Sequence, residues 1–312
     1  MSSVLINIVQ MVAVPFVGIV VFLFLWSVTA NNITTSLGKF PGPDAVWEQM
    51  GNLYTEYKDE KVKAVEFYQR QDERNAERLT TEPDYEVKIR AYTGKATFPG
   101  QIVTSLITVL SGFFAAVILA IPLGIAIGLN KTLNNAVNPI IQIFKPVSPL
   151  AWLPLVTMVV SAVYTEENPA IAKSFLNSMI TVTLCCLWPM VINTAVGVAS
   201  LSEDLRNVSR VLRLSPLAHV RKIVIPASIP MIFTGMRLSL GIAWMVLIAA
   251  EMLAQNPGLG KFVWDEFQNG SSDSLSRIMV AVLTIGLIGF LLDRCMLQIQ
   301  RMVSWDKASA SR

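Results

Sequence analysis

Apolar and polar segments alternate along the chain of 312 residues, and six apolar runs are long enough to cross a lipid bilayer. A membrane-spanning helix needs about 20 predominantly apolar residues, at a rise of about 1.5 Å per residue. The runs cover residues 4–28, 102–129, 138–163, 170–199, 231–253 and 278–298. The pattern therefore predicts an all-α integral membrane protein with six transmembrane helices.

The third run differs from the others because it contains four prolines, Pro139, Pro146, Pro149 and Pro154. Proline has no backbone N–H and leaves carbonyl groups without helical partners. Inside a membrane such groups are tolerated only against protein or a water-filled cavity. We therefore expect this span to be broken and to pack against protein or border a water-filled cavity.

Residues 31–100 interrupt the apolar pattern with a mixture of acidic and basic side chains. Their apolar residues recur every three or four positions, which predicts amphipathic helices. These residues are Trp47, Met50, Tyr54, Tyr57, Val62, Val65 and Tyr68. We expect a helical hairpin in an external, periplasmic insertion; the alternative is a contact surface for an external partner. The predicted organisation is a first transmembrane helix (1–30), this insertion (31–100), a core with five transmembrane helices (101–305) and a tail (306–312).

Composition agrees with a membrane protein, since 53% of the residues are hydrophobic, 15% are charged and the mean hydropathy is +0.52. The formal net charge of +3 is too small to indicate nucleic-acid binding. Cys185, Cys186 and Cys295 lie in apolar runs, so neither a disulfide framework nor a metal-site spacing is visible.

The short loops predict the orientation, because cytoplasmic loops are enriched in Lys and Arg. One set of loops and the tail carry the bases Lys131, Arg206, Arg210, Arg213, Arg221, Lys222, Arg301, Lys307 and Arg312. The opposite loops, residues 164–169 and 254–273, carry Lys261 against five acidic residues. We therefore expect a multi-pass protein of the bacterial inner membrane with both termini in the cytoplasm.

Several kinds of chemistry are missing from the sequence. It has no G-x-x-x-x-G-K-[ST] phosphate loop, and its single histidine, His219, excludes a site of paired imidazoles. Acidic groups at mid-membrane, which an ion-coupled carrier would need, are scarce, and Arg237 lies where snorkelling to the cytoplasmic surface would suffice. We expect His219 to be polar surface, the chain not to be an enzyme, and no cofactor or metal to bind it.

Residues 201–227 form a basic segment between the fourth and fifth spans, and its caps predict two short helices. Ser202 precedes Glu203 and Asp204, while Ser215 and Pro216 supply a second cap and a first-turn proline. We expect Pro226 and Pro230 to bend the path into the fifth span. The segment is either an amphipathic anchor for anionic lipids or a knob that docks into a partner.

Three stretches resemble the permeases of ATP-binding cassette (ABC) importers. The sequence "IVIP" at 223–226 matches the end of that family's coupling pattern, which is Glu-Ala-Ala, three residues, Gly, nine residues and Ile-x-Leu-Pro. Counting back places Arg213 at the glycine and "NVS", residues 207–209, at Glu-Ala-Ala. The stretches "FKPVSPLAWLPL" (144–155) and "GMRLSLGIAWMVLIAAEML" (235–253) are similar to the subfamily for nitrate, bicarbonate, taurine and sulfonates. The resemblance covers residues 101–305 and is strongest to the nitrate branch, in which Glu-Ala-Ala and Gly are also replaced.

The resemblance implies a type I ABC importer (MetI-like) permease fold and a set of partners. The partners are a second copy or a closely related permease, two cytoplasmic ATPase subunits that hold ATP and Mg²⁺, and an external or lipid-anchored substrate-binding protein. The expected docking element comprises Leu205, Arg206, Asn207, Val208, Ser209, Arg210, Val211, Leu212, Arg213, Leu214, Ser215, Pro216 and Leu217. Val208, Val211 and Leu212 would enter the ATPase groove, and Arg206, Arg210 and Arg213 would pair with acidic residues at its rim.

The predicted pathway residues cluster around the proline-rich third span. They are Lys145, Ser148, Trp152, Trp188, Asn193 and Trp244. Lys145 would attract an oxyanion; the alternative is that it snorkels to lipid phosphates.

The leading hypothesis is a permease subunit that imports a small oxyanion, nitrate or nitrite, by ATP-driven alternating access. Bicarbonate, cyanate and taurine or sulfonate are alternative substrates. An ion-coupled secondary transporter and a membrane scaffold that recruits a cytoplasmic partner are alternatives from other classes.

Overall fold

The computed structural model describes residues 2–35, 38–82, 85–166 and 171–303, with side chains from residue 13 onward. Its regular elements are helices, apart from a ribbon in which β1 (Thr34–Thr35) pairs antiparallel with β2 (Gly38–Lys39). The helices are α1 (Ser2–Asn32), α2 (Pro43–Thr81), α3 (Phe98–Leu129), α4 (Lys131–Phe144), α5 (Pro149–Val163), α6 (Lys173–Ala199), α7 (Glu203–Val211), α8 (Pro216–His219), a π-helical turn (Val220–Val224), α9 (Ile225–Ala254), α10 (Leu259–Asn269) and α11 (Ser274–Val303).

The helices of the described residues agree with the apolar pattern, including the break expected in the third run, and they make six spans if the broken pair counts as one. Within the described residues, five helices are long and apolar enough to cross a membrane: α1, α3, α6, α9 with the turns before it, and α11. The third run is two helices, α4 and α5, which meet at an angle of 100°. The break falls at Pro146–Pro149, where Ser148 caps α5 and Pro149 takes its first turn, whereas Pro139 and Pro154 lie inside helices.

The chain forms two compact units. One unit comprises Met1–Gln101 and Phe262–Leu283 and contains the insertion. Its core joins Val46 and Leu53 of α2 to Phe262, Val280 and Ala281. The guanidinium of Arg277 donates to both carboxylate oxygens of Glu56, at 2.6 and 3.1 Å, and to Glu266 at 2.6 Å.

The insertion does not form the expected helical hairpin. It is one 39-residue helix, α2, about 59 Å long at the α-helical rise, and no proline lies between Pro43 and Pro83 to interrupt it. A non-helical segment returns alongside α2: Gln71 bonds both backbone groups of Arg90, and the Asn75 amide donates to the carbonyl of Lys88.

The predicted apolar stripe of α2 is not the face that packs. Trp47 is 74% exposed, and Met50, Tyr54, Val62, Val65 and Tyr68 are also exposed. The buried positions are Val46, Gln49, Leu53, Gln71 and Asn75. In the second half of α2, polar contacts to the returning segment decide which face is buried. The predicted packing of the apolar stripe is therefore wrong there.

The second unit comprises Ile102–Lys261 and Thr284–Arg312 and holds the core of the membrane helices. Its buried cluster is Phe113, Ala120, Ile127, Ile141, Met190, Val191, Ala195, Leu240 and Met296. Glycines allow α3 to approach α6 closely: a Cβ at Gly124 would lie 2.6 Å from Thr194, and one at Gly128 would lie 2.6 Å from Val198. These contacts explain why small residues occupy this face of α3.

Candidate functional site

The segment between α6 and α9 folds into the two capped helices that the sequence predicts. The hydroxyl of Ser202 accepts the N–H of Leu205 at 3.4 Å, and Glu203 and Asp204 occupy the first turn of α7. The hydroxyl of Ser215 accepts the N–H of Ala218 at 3.3 Å at the start of α8. Side-chain oxygens thus satisfy backbone donors that a helix start leaves free.

Helix α7 ends in a left-handed turn at Arg213, whose φ is +45°. The N–H of Arg213 donates to the carbonyl of Arg210 at 3.0 Å, and the N–H of Leu214 donates to the carbonyl of Ser209 at 3.2 Å. This hydrogen-bond pair is the Schellman motif, which favours glycine at the left-handed position. Arg213 therefore keeps the backbone shape for which the importer pattern has glycine.

A side-chain contact between the two short helices was missed by the sequence analysis. Nδ1 of His219 lies 2.8 Å from Oγ of Ser209, and Ser209 is buried. His219 is therefore not merely polar surface, because it joins α8 to α7. A spacing of ten residues across a turn gave no sequence signal for this contact.

The path into α9 stays helical through the two prolines that the sequence marked as a bend. A continuous helical run leads from Pro216 to Ala254, and one π-helical turn lies directly before Ile225 and Pro226. In that turn the N–H of Ile225 donates to the carbonyl of Val220. The wider turn relieves the clash between a proline ring and the carbonyl four residues earlier, so the helix continues.

The outer surface of this loop is apolar at its tip. Val211 is 80% exposed and Leu217 77%, and Leu205, Val208 and Leu212 are also exposed. Arg213 is exposed beside them, whereas the guanidinium of Arg206 donates to the carbonyl of Ala199 at 3.0 Å. Arg206, one of the three arginines expected to pair with the ATPase, therefore already donates a hydrogen bond within its own chain.

The inner surface of the loop borders a cavity of about 820 Å³. Residues of α3, α4 and α6 form its other walls. Its polar lining includes Lys131, Asn134, Asn138, Gln142, Arg206, Ser209, Arg210 and His219. The Oδ1 atom of Asn207, outside this lining, accepts a hydrogen bond from Arg210 at 3.3 Å.

The break between α4 and α5 brings together most of the predicted pathway residues. The ring of Phe144 stacks on Trp152 at 5.7 Å and on Trp188 at 6.1 Å between centroids. The indole nitrogens of both tryptophans are buried and have no hydrogen-bond partner among the described residues. Lys145 follows Phe144 at the end of α4 and is exposed, and Ser148 caps α5. The break therefore combines a cation with two unpaired N–H donors.

The other two predicted pathway residues have partners elsewhere. The amide of Asn193 donates to the carbonyl of Pro189 at 2.8 Å, within α6. The buried Trp244 donates from its indole to the carbonyl of Ile285 at 3.0 Å and so joins α9 to α11.

A buried carboxylate, which the sequence did not single out, lies at the opposite end of α9. Glu251 has no exposed surface, and its oxygens accept hydrogen bonds from the Ser105 hydroxyl at 2.8 and 3.0 Å and from the Gly260 N–H at 3.0 Å. The amide of Asn256 donates to Glu251 at 3.4 Å and to the Thr108 hydroxyl at 3.2 Å. This network joins α3, α9 and the start of α10.

Comparison with solved structures supports the fold. A permease chain of the methionine transporter MetNI, in an inward-facing crystal structure, superimposes with a TM-score of 0.56 at 14% identity. The match covers 66% of this chain and 95% of that chain. The fold is therefore that of a MetI-like, type I ABC importer permease.

Several curated relatives are named as permeases for nitrate or bicarbonate. The nitrate import permease protein NrtB of Synechocystis sp. is 40% identical over 203 residues, covering 65% of this chain and 69% of the relative. The NrtB protein of Leptolyngbya laminosa is 38% identical over 205 residues, covering 65% of this chain and 68% of the relative. The bicarbonate transport system permease protein CmpB of Synechococcus elongatus is 33% identical over 293 residues, covering 94% of this chain and 89% of the relative.

A family model places the core in the same group. The model for the inner membrane component of binding-protein-dependent transport systems matches residues 116–304, which include every helix from α4 to α11. The chain therefore belongs to this family of inner-membrane components and is a permease subunit of an ABC importer.

Proposed function

We propose that the chain is the permease subunit of an ATP-driven importer whose substrate is a small oxyanion, with nitrate or nitrite as the first choice. The working complex contains a second permease, identical or closely related, two cytoplasmic ATPase subunits that hold ATP and Mg²⁺, and an external or lipid-anchored binding protein. The loop from α7 to α8 faces the cytoplasm, as do both termini.

The apolar tip of the loop supports docking to an ATPase. Exposed large apolar residues on a rigid, capped turn provide a surface that a partner groove can bury. Val208, Val211 and Leu212 enter that groove, and Arg210 and Arg213 face acidic residues at its rim. The lipid-anchor alternative also fits a basic loop, so docking needs a direct test.

The continuous helix from Pro216 to Ala254 supports a direct coupling mechanism. When ATP binding closes the two ATPase subunits, the docked loop moves with them. Because no flexible linker separates α8 from α9, that displacement passes into the membrane core and changes the side to which the pathway opens. The Ser209–His219 contact makes α7 move with α8.

One observation supports an anion that only accepts hydrogen bonds, such as nitrate: the charged and unpaired side-chain nitrogens near the break are donors, alongside the backbone carbonyls that the prolines free. Lys145 carries an ammonium, and Trp152 and Trp188 carry unpaired indole N–H groups. Nitrate accepts hydrogen bonds but cannot donate them, whereas bicarbonate also has an O–H that needs an acceptor.

The experiment uses the complex of this chain with its ATPase and binding protein in lipid vesicles. Uptake of isotope-labelled nitrate and of labelled bicarbonate is measured with and without ATP. The proposal expects ATP-dependent nitrate uptake, and uptake of bicarbonate alone would transfer the assignment to that anion. Transport that persists in the absence of any ATPase would contradict an ABC mechanism and support an ion-coupled carrier.

Docking is tested with the combined change Val208→Asp, Val211→Asp and Leu212→Asp. We expect the variant to lose the ATPase from the purified complex and to lose ATP-dependent uptake. A matched control is Val62→Asp with Val65→Asp, which alters equally exposed residues on α2 and should leave the ATPase bound. If the loop variant retained the ATPase and its uptake, this surface would not be the docking site.

The role of Lys145 is tested separately. If it attracts the anion, Lys145→Ala should raise the KM for nitrate uptake and leave ATPase docking unchanged. Unchanged uptake over the whole range of nitrate concentrations would favour the snorkelling alternative.

A further inference from the structure

An ion pair joins two of the membrane-spanning helices. Arg237 of α9 donates from Nε to Oδ1 of Asp293 at 2.5 Å and from Nη2 to Oδ2 at 3.0 Å, with Asp293 on α11. The side chains are 37% and 38% exposed, respectively. The sequence did not indicate that the guanidinium of Arg237 is held by a carboxylate on another helix.

The ion pair of Arg237 and Asp293 lies within the apolar spans, so the surroundings of its exposed side can be inferred. Arg237 lies six residues after the start of the fifth apolar run (231–253), and Asp293 lies five residues before the end of the sixth (278–298), about 9 and 8 Å along the helices. Both positions lie inside the apolar spans. Charged groups at such depth are costly in hydrocarbon and normally face protein or a water-filled cavity. The exposed side of this pair is therefore expected to face a polar space.

Two glycines leave open space on the faces of α9 and α11 that carry Arg237 and Asp293. Gly241 lies one turn after Arg237, and Gly286 lies two turns before Asp293. A Cβ at either glycine would have no described atom within 4 Å. In contrast, a Cβ at Gly235 would lie 2.9 Å from Asn193, and one at Gly289 would lie 3.0 Å from Trp244, so those two glycines serve helix packing.

The geometry of the pair leaves part of the guanidinium available. Asp293 occupies the side formed by Nε and Nη2, and Nη1 has no hydrogen-bond partner among the described residues. The end-on fork, formed by Nη1 and the second hydrogen of Nη2, can still donate two parallel hydrogen bonds. A guanidinium fork matches planar oxyanions, which accept two such bonds at once.

We propose that this free fork of Arg237 contacts the transported oxyanion, and that Asp293 is a positioning residue that holds the guanidinium towards the pathway. The assignment rests on the proposed function as an oxyanion importer. Asp293 balances the charge of Arg237, so the contact attracts an anion without trapping it. Transport requires a site that is favourable enough to be occupied and weak enough to release its ion. Gly241 and Gly286 keep the space beside it free of side chains.

The first test separates anion contact from helix packing. The double variant Arg237→Gln with Asp293→Asn keeps a hydrogen-bonding amide pair between α9 and α11 but has no guanidinium. We expect the complex to assemble and retain basal ATPase activity, while the KM for nitrate uptake rises at least about tenfold, the equivalent of about 1.4 kcal/mol. Unchanged KM and maximal rate in an assembled complex would overturn the proposal.

A second variant covers the case in which the amide pair fails to assemble. Arg237→Lys keeps the positive charge and the pair with Asp293 but lacks a fork. We expect it to assemble and to raise the KM for nitrate several-fold. If Lys supports uptake with the wild-type KM, the fork is not the anion contact.

The open face provides a steric test with a matched control. Gly241→Leu should lower the maximal uptake rate without changing basal ATPase activity, because the side chain would occupy the space beside Arg237. Gly18→Leu on α1 is the control, since its Cβ also has no described atom within 4 Å. Uptake that is insensitive to Gly241→Leu would show that this face is not the pathway.

The wild-type complex distinguishes failure of this proposal from failure of the proposed function. If it imports neither nitrate nor bicarbonate, the proposed function is wrong and the Arg237 assignment falls with it. If it imports an anion and the Arg237 variants do so equally well, the proposed function stands and only the Arg237 assignment is wrong.

Discussion

Ser209 of α7 and His219 of α8 share a side-chain hydrogen bond of 2.8 Å, between Oγ and Nδ1. The bond links the two short helices of the loop, while the π-helical turn and α9 follow His219 directly. Because Ser209 is buried, removing its partner leaves a polar group without compensation. The pair thus connects the exposed face of α7 to the helix that enters the membrane.

The first prediction concerns coupling through this pair. Ser209→Ala and His219→Ala should each lower the number of anions imported per ATP hydrolysed, and the double variant should be little worse than either single one. The loss of stability should be about 1 kcal/mol for each change. Uptake and ATP hydrolysis measured in the same vesicles give the ratio. His219→Asn, which keeps a polar side chain near Ser209, is the control, and additive losses would contradict a shared contact.

The second prediction concerns the left-handed residue that ends α7. A non-glycine residue in this conformation costs roughly 1–2 kcal/mol, so Arg213→Gly should stabilise the permease, purified without its ATPase subunits, against thermal unfolding. Arg210→Gly, inside the last turn of α7, should destabilise it by roughly 0.5–1 kcal/mol. Melting temperatures of the purified permease variants compare the two. A loss of stability in Arg213→Gly would show that the arginine side chain makes a stabilising contact that outweighs the backbone strain.

Much of this loop was predictable because its signals are local. Ser202, Ser215 and Pro216 mark helix starts through neighbouring residues only, and all three act as predicted. Arg213 stands where the family pattern has glycine, so the residue type departs from the pattern. Its backbone conformation is nevertheless the left-handed one that glycine favours. A sequence pattern thus described the backbone better than the side chain.

Features that depend on distant contacts were not predictable from the sequence. The buried face of α2 is set partly by Gln71 and Asn75, whose partners lie in the returning segment and have no fixed spacing. The pairing of Arg237 with Asp293 spans 56 residues and depends on how α9 packs on α11. Apolar periodicity identifies a membrane helix but does not identify its neighbour.

The third prediction concerns the network around Glu251. A Cβ at Gly258 would clash with the Glu251 carboxylate, and one at Gly260 would lie 2.9 Å from its Cβ. Gly258→Ala should therefore displace Glu251 from its hydrogen bonds to Ser105 and Gly260 and cost roughly 1–3 kcal/mol. Thermal unfolding measures the loss, with Gly18→Ala as the unhindered control. Equal stability of the two variants would show that the corner between α9 and α10 adjusts freely.

The last prediction concerns the pH dependence of the contact between α2 and the returning segment. The Tyr92 hydroxyl and the Lys95 N–H donate to Glu60, at 2.7 and 2.8 Å, and these hydrogen bonds lower the pKa of its carboxyl below the usual 4.5. A lowered pKa in the folded state means that the unfolded segment binds the proton more readily. The stabilisation is therefore complete above about pH 4.5 and is lost as the pH falls through the lower, folded-state pKa. The measurement is hydrogen exchange at the Lys95 amide, in the wild type and in a Glu60→Gln variant at each pH. The ratio of the two rates cancels the intrinsic pH dependence of exchange. Protection in the wild type should exceed that in the variant above pH 4.5 and converge with it below that value, whereas a constant ratio would show that ionised Glu60 does not hold the segment.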